Sequence, residues 1–294
     1  MSNGRGQGEG EGHSGGGVPA DGRSRSASAG PGDAGAPPDP KAPSEIVPLK
    51  APLADYDPER WERRAGPFGT SADAALPKGM ATSEQIEPFR ELRTRLMLMA
   101  TSRGLDHFTT LVVPLTEDSG GSFVARNLAA VFTLQKRHAL LIDCNFKKAT
   151  QHEVLRSDTE IEGLFEFLGR AGQAPSDLPM WPTAIPGLHL IPAGRCETTF
   201  AGAHVEYLGS NTMKQLMVTL RAWPCYVVLD APPVKGSPDA RLLSDLADFV
   251  VLVVGHGRCT SHEIKEAAAV FDSKKFAGVA FNEYAGASSS KRPR

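Results

Sequence analysis

Nowhere in the 294 residues does an apolar run approach the ~20 residues a membrane-crossing helix needs. The amino-terminal stretch also lacks the apolar centre of a secretion signal. Charge of one sign is missing too. Lys and Arg number 32 and Asp and Glu 34, a formal net charge of −2 that leaves no electrostatic footprint for nucleic acid. Cysteine is scarce: Cys144, Cys196, Cys225 and Cys259 are far apart, without metal-ligand spacing. They read as reduced thiols of an intracellular protein. Core-forming residues are thin up to residue 81. Glycine-rich 4–17 and proline-rich 37–48 read as a disordered tail that buries too little to offset chain entropy. Only residues 56–68, with Trp61, offer an aromatic patch there, as easily an exposed linker as a docking element.

Beyond residue 81 apolar runs alternate with helical periods. A helix is expected over 84–100, where Ile86, Phe89, Leu92, Leu96 and Met99 repeat at helical spacing. Strand-like runs follow at 109–114, 139–142, 188–191, 226–229, 249–254 and 277–281, with helical stretches at 123–135, 211–222, 239–246 and 261–271. Runs such as Val227-Val-Leu229 and Val250-Val-Leu-Val-Val254 are apolar on both faces. The expectation is an α/β fold with a mostly parallel, twisted sheet covered by helices on both sides. Ligands of such sheets bind at the carboxyl ends of the strands.

One residue is missing from the most telling segment. The apolar stretch 109–114 leads through Leu115-Thr-Glu-Asp-Ser-Gly-Gly-Ser122 into a helical stretch, the strand–loop–helix setting of a phosphate-binding loop. Backbone N–H groups in such a loop close on phosphates while a lysine reaches the β/γ oxygens. Here Gly121 occupies the lysine slot between Gly120 and Ser122, and Glu117 and Asp118 bring negative charge. At ~4 Å a like-charge contact costs on the order of 1–4 kcal/mol. Alone, Gly-Gly-Ser reads more readily as an ordinary turn. Asp143 and Asp230 each close an apolar strand, where such residues hold Mg²⁺ or its water, or simply cap a turn.

In order, these segments resemble the bacterial tyrosine autokinases (BY-kinases) of capsule and exopolysaccharide export, the CpsD/CapB-like proteins of the deviant-Walker P-loop group. The resemblance covers residues 83–284. Leu141-Ile-Asp-Cys-Asn-Phe-Lys-Lys-Ala149 with His152 is similar to the family's second Walker motif, and Leu229-Asp-Ala-Pro-Pro-Val234 to its Walker B. Gly163–Leu168, Leu188–Gly194, Asp239-Ala240, Thr260 and Asn282 also fall where the family has equivalents. His152, at a helix start, reads more readily as a structural hydrogen-bonder.

The resemblance implies a P-loop NTPase-like, tyrosine-kinase-like domain over 82–285, between the tail 1–81 and a short basic tail 286–294. It implies ATP/ADP and Mg²⁺ as cofactors, with Asp143, Asp230 and Ser122 toward the metal, Gly120, Gly121, Ser122 and Lys147 toward phosphate, and Asn282 near the base. Glu87, Arg90 and Arg93 match its Glu-x-x-Arg-x-x-Arg oligomer motif; at helical spacing they share one face, as an ordinary solvated face also would. A homo-oligomer is implied, with an integral membrane partner of the chain-length-determinant type that recruits a cytoplasmic chain to the inner membrane face.

The departures bear on activity. Gly121 replaces the lysine, Asn145 replaces a family Asp, Phe123 stands where a second hydroxyl would follow Ser122, and only Tyr284 remains near the end where the family carries its tyrosine cluster. The leading expectation is a catalytically degenerate kinase-like regulatory or assembly subunit. An active ATP-binding autokinase, rescued by Lys147 or Lys148, is the alternative, and a MinD/ParA-like ATPase a third reading.

Overall fold

The computed structural model describes residues 80–83, 85–155, 161–170, 172, 177–195 and 203–282, all within one compact unit, Glu45–Arg294. In chain order the elements are α1 (Glu87–Ser102), β1 (Thr109–Pro114), α2 (Gly121–Phe132), β2 (His138–Asp143), a 3-10 turn (Gln151–Leu155), α3 (Leu164–Gly169), β3 (Trp181–Pro182), β4 (Leu188–Ile191), α4 (Ala203–Leu208), α5 (Asn211–Arg221), β5 (Cys225–Asp230), α6 (Asp239–Leu246), β6 (Phe249–Gly255), α7 (Ser261–Ala268) and β7 (Phe276–Asn282).

Strands β1, β5 and β6 are buried at every position, as a sheet covered on both faces requires of its centre. The seven strands run β3-β4-β2-β5-β1-β6-β7, parallel except for the β3–β4 pair. This is the P-loop NTPase-like α/β architecture. Alternate side chains face opposite layers. Leu111, Val113 and Leu229 pack with Met213, Leu216 and Leu220 of α5. Val112, Leu141 and Val228 pack with Leu96 of α1 and Leu128 and Val131 of α2.

The expected strands are found to within one or two residues. Helix α1 begins at Glu87, with Pro88 in its first turn. Helix α2 starts at Gly121, two residues early, because Gly120 serves as its N-cap. It ends at Phe132 rather than 135; Gln135 and Lys136 take positive φ and turn the chain toward β2. Helix α7 ends at Ala268, three residues short of the expected 271. The two-residue β3, the short α3 and α4 and the 3-10 turn were not marked as elements; segments this short show no period.

At the amino ends of the central strands, Phe108, Phe132, Tyr226 and Phe249 form a ring cluster with centroids 4.7–5.5 Å apart. Cys144, Cys225 and Cys259 are free thiols. No helix among the described residues is long and apolar enough to cross a membrane. Trp61, Cys196, Tyr284 and the basic tail lie outside the described residues, as does nearly all of 1–81.

Candidate active site

The carboxyl ends of β1, β2 and β5 meet at a cleft of about 190 Å³ between the β1–α2 loop and the segment after β2. Gly120, Gly121, Ser122, Asn145, Lys147 and Lys148 line it, so the expected phosphate-side residues do come together. Gly120 supplies the sharp entry into α2 with φ 83. From β7, Asn282 donates through Nδ2 to the Ser119 carbonyl at 3.2 Å, and a Cβ on Gly120 would lie 1.9 Å from that nitrogen. Asn282 therefore clamps the loop.

At Gly121 an added Cβ would lie 2.8 Å from Cδ and 2.9 Å from Cγ of Pro114, the last residue of β1. A proline ring cannot swing aside as a long side chain can. On this backbone a lysine at 121 has no room for its first carbon.

The carboxylates around the loop differ from expectation. Glu117 is exposed. Asp118, at φ 58, is paired through Oδ1 with Lys148 Nζ at 2.5 Å, and its carbonyl accepts from Arg258 Nη1 at 2.8 Å. The Lys148 hydrogen bond and charge hold the Asp118 carboxyl below its usual range. The negative charge set against a phosphate is thus partly cancelled within the chain. Lys147 is exposed, with no ion pair among the described residues.

Beneath the cleft Asp143 and Asp230 stand side by side as register partners of β2 and β5, both fully buried. Asp143 accepts from the backbone of Asn145 at 3.0 Å through Oδ1, and from Thr150 at 3.2 Å and Gln151 at 3.1 Å through Oδ2. Asp230 Oδ2 accepts from Gln151 Nε2 at 2.6 Å. Oδ1 has no hydrogen-bond partner among the described residues. Burial pushes both carboxyls up, and the Asp230 charge raises Asp143 further. Asn145, at the expected catalytic carboxylate, ties the turn instead: its Oδ1 accepts from the Lys148 backbone at 3.2 Å.

Two residues here escape the sequence reading. Gln151 is completely buried; besides Asp230, its Nε2 reaches the Ser122 carbonyl at 3.0 Å. Arg126 of α2, 5% exposed, donates from Nε to Gln151 Oε1 at 2.9 Å and from Nη2 to the Thr150 carbonyl at 3.3 Å. The available signal was Arg126 itself, the one charge in the mostly apolar stretch 123–132.

No family model matches the chain. The putative tyrosine-protein kinase EpsB of Ralstonia solanacearum is 31% identical over 220 residues, 75% of this chain and 27% of that protein. Tyrosine-protein kinase wzc of Salmonella typhimurium is 30% identical over 67% of this chain and 26% of its own length. YwqD, a tyrosine-protein kinase of Bacillus subtilis, is 27% identical over 66% of this chain and 79% of its own. Among solved structures, the BceF tyrosine kinase domain matches with a TM-score of 0.57 and 25% identity, over 67% of this chain and 76% of that one. The chain belongs to the bacterial tyrosine-kinase (BY-kinase) family. It spans about a quarter of the length of the first curated relatives it matches, 27% for EpsB. The kinase domain of the Escherichia coli tyrosine kinase ETK shares the fold, with a TM-score of 0.59 at 22% identity over 67% of this chain and 75% of that one.

Glu87, Arg90 and Arg93, expected to form an oligomer motif, lie on α1. Glu87 and Arg90 are exposed and pair with each other, Oε1 to Nη1, at 2.6 Å. Arg93 departs from the single shared face: it turns inward, donating from Nη1 to the Val131 carbonyl of α2 at 2.9 Å. Phe89 of α1 packs edge-on against Phe123 in the first turn of α2, centroids 5.8 Å apart. That contact accounts for an aromatic where a hydroxyl was expected. His152 is exposed, and Thr260 caps α7 through a hydrogen bond from the Glu263 backbone at 3.3 Å.

Proposed function

We propose that the chain is a catalytically degenerate BY-kinase homologue, a regulatory or assembly subunit of an exopolysaccharide or capsule biosynthesis and export system. The observation that carries this reading is the contact between Pro114 and Gly121. A lysine reaching the β/γ phosphate oxygens is the main cationic device of such a loop, and here the site of its Cβ is taken by a proline ring. Asn145 in a turn-forming role supports the same reading. In family members that bind them, ATP and Mg²⁺ supply the phosphoryl group and its charge compensation; the residues around Gly121 do not fit that task. The partner would be an integral membrane protein of the chain-length-determinant type, holding the chain at the cytoplasmic face. Glu87 and Arg90 would serve self-association, since exposed charge pairs re-pair readily across an interface.

The test is calorimetric titration of the full chain with ADP and ATP, with and without Mg²⁺, alongside a phosphotyrosine blot. No heat and no phosphotyrosine are expected. Mg²⁺-dependent micromolar binding, or phosphotyrosine that disappears in Asp143→Ala, would overturn the reading.

One observation favours a second reading, an active autokinase with an atypical loop. Lys147 lines the cleft with its ammonium uncommitted among the described residues. A lysine can neutralise phosphate from varied directions. That reading requires nucleotide binding in the wild type and its loss in Lys147→Ala.

A further inference from the structure

Two fully buried carboxylates side by side demand compensation, because burying a charge without a partner costs several kcal/mol. In a nucleotide-binding member a cation would meet that demand. Here residues of the chain already meet much of it. The Gln151 side chain lies between β5 and α2, and its Nε2 bridges Asp230 Oδ2 at 2.6 Å and the Ser122 carbonyl at 3.0 Å. Its backbone N–H serves Asp143 Oδ2 at 3.1 Å, and its Oε1 accepts from Arg126 Nε at 2.9 Å. One residue thus touches both aspartates, the first turn of α2 and a buried guanidinium.

We propose that Gln151, held by Arg126, is a built-in clasp that takes the place of a metal ion at the Asp143–Asp230 pair. It locks the segment after β2 against the phosphate loop without any ligand. The inference rests on the reading of the cleft as one without nucleotide and says what the emptied chemistry became. Three points carry it. The side-chain amide reaches β5 and the Ser122 turn, and the backbone N–H of the same residue reaches β2. The guanidinium brings positive charge to the interior from α2, not from solvent. The donors that Asp143 uses are backbone groups of 145, 150 and 151, so the clasp fixes the course of the very segment a nucleotide would otherwise order. The consequence is a segment after β2 held in one state with or without a ligand.

The test compares wild type with Gln151→Met, which keeps the volume and loses the hydrogen bonds, and with Arg126→Met as a second variant if the first fails to fold. The full chain is used in metal-free buffer and then with Mn²⁺ alone. The clasp predicts slow hydrogen exchange at the amides of 145, 150 and 151 in metal-free wild type. Exchange should be at least about tenfold faster in either variant, and the melting temperature lower by roughly 5 °C. Mn²⁺ should leave wild-type exchange unchanged. Equal exchange and melting in wild type and variants would overturn the clasp, as would Mn²⁺ binding by the wild type with added protection at those amides. ATP titration separates the two ideas: binding by the wild type sinks the degenerate reading, whereas unchanged exchange in the variants without ATP binding sinks only the clasp.

Discussion

The ring of Pro114 stands 2.8 Å from where a Cβ on Gly121 would be, so the end of β1 and the start of α2 are fitted to each other across the loop. Restoring the expected lysine at 121 alone should therefore fail. Gly121→Lys is expected to destabilise by about 1–3 kcal/mol through overpacking and to gain no affinity for ATP. Adding Pro114→Ser should recover most of the stability. Thermal melts of the single and double variants with and without Mg-ATP check this, and an ATP-induced rise in melting temperature for Gly121→Lys alone would refute it.

A second prediction concerns pH. His189, in the middle of β4, is 7% exposed, and burial, with a smaller contribution from His138, lowers its pKa to about 4. The folded state thus refuses a proton that the unfolded chain accepts near pH 6.5. Stability from this residue is fully present above pH 6.5 and declines as pH falls toward 4, by up to about 3 kcal/mol. His189→Leu should flatten that part of the stability–pH curve, measured by urea unfolding between pH 4 and 7. An unchanged slope would mean that another group dominates.

The α1 motif yields a third prediction, because its members are placed differently. Glu87→Arg should change the oligomer distribution in light scattering and leave the melting temperature alone. Arg93→Ala should instead lower stability by about 1 kcal/mol, since its guanidinium holds the Val131 carbonyl at the carboxyl end of α2. Loss of assembly in Arg93→Ala without a stability change would return Arg93 to the interface.

The central sheet was legible because β1, β5 and β6 are apolar on both faces, a pattern with one structural solution. The Gly120-Gly121-Ser122 entry into a helix was equally plain. The significance of Pro114 was not, because loop closure alone brings residue 114 against residue 121. Gln151 read as an unspecified motif position, since a buried amide and a solvated one look alike in a sequence. The Asp118 charge was read as facing phosphate; its partner Lys148 lies 30 residues away and meets it only once β2 is laid beside β5. Helix α2 was placed two residues late because a glycine N-cap leaves no polar signature.

The interlocked rings of Phe108, Phe132, Tyr226 and Phe249 sit at the far ends of the strands from the cleft. They make the domain resemble a brush bound at its handle: what happens among the bristles does little to the binding. Gly121 and Asn145 can line the cleft in place of charged side chains while the sheet keeps its order. Architecture and cleft chemistry are therefore separable in this chain, because the rings that tie the sheet together share no residue with the cleft.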